Sequence, residues 1–520
     1  MKLAYLKKIR IGVSLLFFLL FGIVYLDLSG NVSTKLSPAI TYLQFIPSLL
    51  KFLGLLSISA IGFIVVIVLT VLFGRVYCSS ICPMGTLQDI ISYFAKKLNK
   101  KKYYKKIEVF RPLRPTILVI TIALFLLGNM ILLNLLDPFS DAGKIFTNLF
   151  RPILIQVNNL AAYVLTRLNI YWLYPVEIKG VSLAVIGVSL VILGTIGIMS
   201  FLKGRLFCNS ICPVGTLLGL VSRFSIFKIG IDKNSCVSCN LCEKVCKAGC
   251  IDKKEKIIHF DKCVGCYNCF DACLSGGITF GGRVVKEKKV KKFKTDDKRR
   301  EFISKTFLYV IGLSTISLAQ IKIIPKKLSK IPILKKNTVS PPGSGSISHF
   351  TGKCTACHLC VSSCPAQVLQ PSLWEYGFTG ILQPYMNYKE SYCTLDCVIC
   401  GQVCPTGAIL PLSPEKKKLT QIGKVNFIKE NCIVETEGTE CGACSEHCPT
   451  KAVQMVPYKN LHLPETQNEY CIGCGACEFA CPVRPYKAIY VDGNAVHQAA
   501  KKKTEQKLEQ KVDYKSDFPF

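Results

Sequence analysis

The chain has 520 residues, half of them hydrophobic, with mean hydropathy +0.36 and a formal net charge of +32. That length predicts several domains, and the hydropathy places part of the chain in lipid. The positive charge flanks apolar runs, as the positive-inside rule requires, and neither aromatic-rich RNA motifs nor zinc-finger spacings accompany it, so nucleic acid is set aside as a partner.

Lys2, Lys7, Lys8 and Arg10 precede an apolar run over 11–28, and further runs cover 52–73, 116–136 and 181–202. Each is close to the roughly 20 residues a helix needs to cross a bilayer. The loop from Gly74 to Arg114 holds ten Lys or Arg, whereas residues 137–180 hold four and open with two aspartates. This bias predicts a four-span membrane domain over 1–227, with the N-terminus and the loop 74–114 in the cytoplasm. No small-residue cleavage site follows residue 28, so the first run is expected to be a span.

An internal repeat lies on these spans. Gly74-Arg75-Val76-Tyr77-Cys78-Ser79-Ser80-Ile81-Cys82-Pro83-Met84-Gly85-Thr86-Leu87 matches Gly204-Arg205-Leu206-Phe207-Cys208-Asn209-Ser210-Ile211-Cys212-Pro213-Val214-Gly215-Thr216-Leu217. Cysteines four apart are expected on one helix face, with the following Pro marking its end or kink. Brought together, Cys78, Cys82, Cys208 and Cys212 form a candidate metal or cluster site at the membrane edge. The alternative is that these thiols only pack.

Residues 228–285 have the spacing of a two-cluster ferredoxin on the cytoplasmic side. Cys236, Cys239, Cys242 and Cys246 form one run, and Cys263, Cys266, Cys269 and Cys273 the next. In this arrangement the fourth cysteine of each run serves the other cluster, which pairs Cys273 with the first three and Cys246 with the second three. Lys247 and Leu274 stand where Pro usually follows the fourth cysteine. Cys250 is surplus and is expected to be a small buried residue.

Residues 286–324 combine a basic linker with Lys298-Arg299-Arg300-Glu301-Phe302-Ile303-Ser304-Lys305 and an apolar run over 306–319, the pattern of a twin-arginine export signal or anchor helix. Residues 325–348, with Pro341-Pro342-Gly343-Ser344-Gly345-Ser346, are expected to be a flexible linker. Residues 349–495 then carry four more quartets: Cys354, Cys357, Cys360 and Cys364; Cys393, Cys397, Cys400 and Cys404; Cys432, Cys441, Cys444 and Cys448; Cys471, Cys474, Cys477 and Cys481. A Pro follows each fourth cysteine, and spacing alone leaves the pairing among these clusters open. Cys354-Thr-Ala-Cys357-His358 also matches a haem attachment pattern, but it is embedded in a ferredoxin run, which leaves His358 as a surface residue. Trp374, Tyr376, Phe378, Tyr385, Tyr388 and Tyr392 either pack around clusters or form a docking surface. Residues 496–520 form a polar tail.

The predicted architecture is multi-domain: a helical membrane bundle of four spans plus a fifth anchor or signal helix, with α+β bacterial-type ferredoxin domains on both sides. The 24 quartet cysteines outside the repeat predict six [4Fe–4S] clusters, with one further cluster or metal at the Cys-x3-Cys-Pro pairs. Six such cores on deprotonated thiols lower the net charge to about +20.

With its four spans, its two Arg-x2-Cys-x3-Cys-Pro motifs (Arg75 and Arg205) and a following ferredoxin, the N-terminal half resembles the NapH-type membrane quinol dehydrogenases, relatives of NosR and CcoG. The C-terminal half, with its Arg-Arg signal and Cys-Pro-terminated quartets, is similar to the NapG/MauM-type exported ferredoxins. The resemblance implies a multi-pass protein of the bacterial inner membrane that passes electrons from menaquinol to a periplasmic nitrate or nitrous-oxide reductase or a c-type cytochrome. It also implies a quinone site, expected between the duplicated spans. Two alternatives are a CcoG-like factor that reduces or delivers copper, and a relay fed by cytoplasmic ferredoxin. There is no nucleophile–base constellation, P-loop or nucleotide-binding glycine motif, so no catalytic residue is assigned and the chain is expected to act as an electron-transfer subunit.

Overall fold

The computed structural model describes residues 4–55, 61–99, 112–180, 182–232, 234–252, 255–282 and 331–502. The Arg-Arg motif, the apolar run after it and the basic linker lie outside the described residues, as does most of the polar tail.

The first helix, Ala4–Leu26, carries no charge after Arg10. It buries Arg10, Ser14, Phe21, Val24 and Tyr25 on one face and leaves Leu15, Leu16, Leu19 and Ile23 exposed on the other. Among the described residues, Tyr5–Leu26 and Leu183–Lys203 are the two helices long and apolar enough to cross a membrane. The other two expected spans are shorter as helices. The run 116–136 breaks into Leu113–Leu126 and Ile131–Leu136. Gly128 takes a left-handed φ of 75° at the break, and the Asn129 side chain accepts the Ile131 N–H at 3.0 Å. A Gly-Asn turn therefore outweighs the hydropathy of its flanks. In the run 52–73, the helix Gly62–Phe73 starts hard against the preceding helix Asn31–Tyr42: a Cβ on Gly62 would lie 1.6 Å from the Tyr42 carbonyl.

The repeat is also built differently from expectation. In each copy the apolar helix ahead of the motif stops at a glycine with positive φ, Gly74 at 79° and Gly204 at 72°. A five-residue helix follows, Val76–Ser80 or Leu206–Ser210, and then a new helix starts at the proline, Pro83–Asn99 or Pro213–Ser222. Proline thus opens a helix, where its missing N–H costs nothing, rather than ending one. The second cysteine caps that new helix: the Cys212 sulfur accepts the Gly215 N–H at 3.3 Å. The two cysteines of a motif therefore sit on two different helices.

The next cysteine-rich body is closed by its own ends. Phe227–Ile231 pairs antiparallel with Ile278–Gly282, with Phe227 opposite Gly282 and Ile231 opposite Ile278. In the C-terminal body Thr420–Phe427 pairs antiparallel with Ile489–Ala499, and Val453–Tyr458 forms a hairpin with Leu461–Thr466. The Pro/Gly/Ser-rich segment before it is no loose tether over its described part. Val339, Ser340 and Ser344 are buried, and backbone bonds join Val339 to Met386, Gly343 to Leu410 and Gly345 to His497. Its prolines and glycines let it run flat across the strands while its carbonyls find donors there.

The first helix links everything. Lys7 pairs with Asp271 of the first cysteine-rich body, and Arg10 pairs with Asp89 at 2.9 Å. Ser14 lies 3.0 Å from Thr86 beside the repeat, and the Tyr25 hydroxyl donates to the Cys357 carbonyl at 3.2 Å. From Lys7 to Tyr25 is about 27 Å along the axis, close to the hydrocarbon thickness of a bilayer. The two cysteine-rich bodies therefore occupy opposite ends of one helix.

Candidate iron–sulfur centres

Four cavities are each lined by cysteines from two runs. Cys236, Cys239, Cys242 and Cys273 surround one of about 480 Å³, and Cys263, Cys266, Cys269 and Cys246 one of about 330 Å³. In the C-terminal body, Cys432, Cys441, Cys444 and Cys481 line about 340 Å³, and Cys393, Cys397, Cys400 and Cys364 about 350 Å³. The remaining cysteines group in the same way. Cys404 acts electrostatically on Cys354, Cys357 and Cys360, and Cys448 on Cys471, Cys474 and Cys477. Tertiary packing thus chooses between pairings that spacing leaves open: 354 with 393, and 432 with 471.

The backbone around these cavities is shaped by left-handed residues. In four runs the residue before the second cysteine and the residue after it both have positive φ: Ser238 and Asn240, Gly265 and Tyr267, Ala356 and His358, Gly473 and Gly475. Most of these are not glycine, so surrounding contacts must hold them there. The turns aim N–H groups inward, as in an anion-binding nest. Ala356 donates to the Cys354 sulfur at 3.5 Å, Gly473 to Cys471 at 3.4 Å, Ala452 to Cys448 at 3.2 Å and Ile409 to Cys404 at 3.4 Å.

Burial works against the thiolates. It pushes the thiols of Cys357 and Cys474 up to about 12 and those of Cys393 and Cys471 to about 11. These groups become thiolates only beside a positive core, as iron provides. A single ion does not suit them. Zinc bonded to sulfur at about 2.3 Å needs thiolates about 3.8 Å apart, and among the described residues no three His, Cys, Asp or Glu side chains approach closely enough to hold one metal ion. The four-cysteine cavities fit an iron–sulfur core, which supplies one-electron storage when bound. Cys250, surplus by spacing, is a fifth thiol in the cavity of Cys263. Its sulfur lies 3.5 Å from that of Cys246, and its hydrogen bond holds Cys246 down at about 7.

The duplicated motifs converge. Cys78, Cys82, Cys208 and Cys212 are all buried, and their thiols act on one another electrostatically. Their arginines exchange partners across the repeat: Arg75 donates to the Cys208 carbonyl at 3.0 Å, and Arg205 donates to the Cys78 carbonyl. A Cβ on Gly85 or Gly215 would meet that same carbonyl and guanidinium, so both glycines are needed for the approach. Arg75 and Arg205 are 0% and 1% exposed. They are structural cations, and by sequence they already belong to the repeated motif.

Several groups that hold the centres in place carry no motif. Asp89 binds Arg10, Arg205 and, at 3.0 Å, Lys247. Lys247, which replaces the usual proline, thereby ties the first ferredoxin body to the helices. Asn209 bonds the carbonyls of Ala248 and Lys262 in that body. At the other end, Gly143 lies against the Cys357 carbonyl, where a Cβ would come within 2.2 Å. Lys144 is fully buried and pairs with Asp141 at 3.0 Å. His358 is no surface residue. It is 0% exposed; its Nε2 donates to the Leu382 carbonyl at 2.8 Å and its Nδ1 accepts from Asn148 at 3.2 Å. Of the aromatics, Tyr388 is core, with its hydroxyl on the Gly473 carbonyl, whereas Trp374 and Phe378 are two-thirds exposed.

Crossed cysteine runs, left-handed nests and small antiparallel sheets define a ferredoxin-type iron–sulfur electron-transfer protein. Comparison with known proteins agrees. A family model described as a 4Fe-4S binding domain matches residues 56–101 and 185–232, over both repeats, and one described as a 4Fe-4S dicluster domain matches 353–408 and 439–485. Ferredoxin-type protein NapF of Escherichia coli (strain K12) is 30% identical over 156 residues, which is 30% of this chain and 87% of NapF. The methylamine utilization ferredoxin-type protein MauM of Methylophilus methylotrophus is 27% identical over 195 residues, 36% of this chain and 83% of MauM. Ferredoxin-type protein NapG of the same Escherichia coli strain is 28% identical over 152 residues, 27% of this chain and 64% of NapG. No solved structure matches significantly. The chain belongs to the NapF family of ferredoxin-type proteins.

Proposed function

We propose that the chain is a membrane-bound relay, a NapH-type unit fused to a NapG/MauM-type ferredoxin, that carries electrons from menaquinol to a periplasmic reductase or c-type cytochrome. Residues 1–227 form its membrane domain, 228–285 its cytoplasmic ferredoxin and 349–495 its periplasmic one. One observation carries this reading. The two cysteine-rich bodies sit about 27 Å apart on the first helix, and the four-cysteine group of the repeat lies between them, at the level of Arg10 and Ser14. That group offers a stepping stone through the low-dielectric layer. Exposed apolar side chains on both long helices support a lipid setting, and the exposed Trp374 and Phe378 offer the exported body a docking edge.

The relay has six [4Fe–4S] clusters in the crossed sets described above, with a seventh centre on Cys78, Cys82, Cys208 and Cys212. Anaerobically purified protein is expected to hold about 24 iron atoms or more per chain, with its clusters reduced by a menaquinol analogue in EPR spectra. Iron-replete protein that reduced ferredoxin reduces but menaquinol does not would defeat the quinol-fed reading. The crossed pairing has its own test. Cys481→Ala is expected to remove the centre of Cys432, Cys441 and Cys444, and Cys448→Ala that of Cys471, Cys474 and Cys477, each with a loss of about four iron atoms. Power-dependent EPR of the two variants separates the centres, and the opposite assignment would overturn the pairing.

A further inference from the structure

A cavity of about 570 Å³ lies where the helical part meets the C-terminal ferredoxin body, and no cysteine lines it. Ile155, Val185 and Leu369 give it apolar walls, and Thr147, Asn148 and Arg151 bring polar atoms to it. The backbone explains that convergence. Phe146–Phe150 is a π-helical turn, a feature common at functional sites, and Thr147 and Arg151, four residues apart, share a face.

Two of these groups are without partners. Thr147 is 6% exposed, yet its hydroxyl has no hydrogen-bond partner among the described residues, and neither has Arg151 Nε. A buried hydroxyl and a buried guanidinium N–H left open cost stability unless something fills the place. Asn148 is held differently: its amide donates to Ser189 at 2.9 Å and to His358 Nδ1 at 3.2 Å. His358 directly follows Cys357, and the field of Arg151 reaches Cys364. One wall of the cavity thus belongs to a cysteine run. The helices that flank the cavity carry lipid-type surface on their outer faces, where Ile153, Val157 and Leu160 on one and Leu183 and Val191 on the other are more than half exposed.

A ligand for this place has an apolar body, reaches it from a bilayer and carries oxygen atoms that gain negative charge. We propose that the cavity binds the ring of an isoprenoid quinol, with Arg151 and Thr147 on its oxygens. This rests on the quinol-fed reading and places the site at the exported end rather than between the duplicated spans. Oxidation of the ring to quinone breaks two O–H bonds and releases two protons and two electrons. The protons leave to water at the mouth, beside the exposed Glu177 and Lys179. The electrons go singly to the adjoining iron–sulfur centres as one-electron oxidants.

The test uses the full-length, cluster-loaded protein in lipid nanodiscs with a photoreactive menaquinone analogue. Label is expected on peptides spanning 147–155 and 361–371. Arg151→Gln and Thr147→Val should each weaken competition by unlabelled menaquinone about tenfold, and Arg151→Lys should recover part of it. Iron content and cluster EPR monitor folding in every variant. Specific label on other helices, with wild-type competition in both variants, would overturn the site while leaving the quinol-fed reading intact. Failure of iron-replete wild-type protein to capture the analogue at all would overturn both.

Discussion

Cys208→Ser is expected to stop electrons passing between the two ferredoxin bodies while both keep their clusters. The four thiols of the repeat lie between those bodies along the first helix, and each motif contributes a cysteine from a short helix and one from the cap of the next. Cys208 is held at both its carbonyl and its sulfur. Arg75 holds its carbonyl at 3.0 Å, and Gln88 Nε2 approaches its sulfur at 3.4 Å. Serine preserves the size and much of the packing, so any loss reports the sulfur itself. The rate at which the C-terminal centres respond to a change of electron supply at the ferredoxin of 228–285 should fall by at least about 100-fold, the upper end of what loss of an outer partner alone costs a metal site. Gln88→Ala, which removes only such a partner, should cost about tenfold. Freeze-quench EPR on vesicles measures both. If Cys208→Ser transfers electrons at the wild-type rate, the four thiols are packing residues and the bridge lies elsewhere.

Asp89→Ala is expected to be the most destabilising single change in the helical part. Asp89 is the common acceptor for Arg10, Arg205 and Lys247, with nitrogen–oxygen distances of 2.9 to 3.0 Å. Arg205 and Arg10 are 1% and 6% exposed, so removal of the carboxylate leaves buried cations uncompensated. Breaking a buried pair in this way costs about 3–5 kcal/mol. Lys247 is the link to the first ferredoxin body, so the loss should also loosen the docking of 228–285. Thermal unfolding and hydrogen exchange over those residues check the two effects. The pH dependence has a fixed sign. Burial opposes the charge on Asp89, but Arg205 and Lys247 prevail and hold its carboxyl well below the usual carboxylate range. Its contribution is therefore complete above the unfolded-state value of about 4 and declines only as pH falls from there toward the folded value. Between about pH 5 and 8 the network should be insensitive to pH; a transition there in wild-type docking would contradict this assignment.

The sequence by itself determined the chemistry. Ferredoxin spacings are local, because three ligands of a centre come from one short turn, so the iron–sulfur reading and the crossing in 228–285 followed from cysteine positions alone. The repeat was legible in the same way, whereas four spans were expected where two described helices are long and apolar enough, and the convergence of Cys78, Cys82, Cys208 and Cys212 was left open beside simple packing. Tertiary structure decided what depends on distant segments. It paired the first and second C-terminal runs, and the third and fourth, through contacts that no spacing encodes. It turned the prolines of the repeat from helix ends into helix starts, since the chain reverses at Gly74 and Gly204. It broke one expected span at Gly128-Asn129 and laid the proline- and glycine-rich segment across the C-terminal strands. Asp89 lacks any motif, and the patterns around Lys247 and His358 do not say what those side chains bond, because a buried ion network or hydrogen bond is defined by which surfaces meet. The cavity at Thr147 and Arg151 exists for the same reason: one wall comes from the helices and the other from a body more than 200 residues further along the chain.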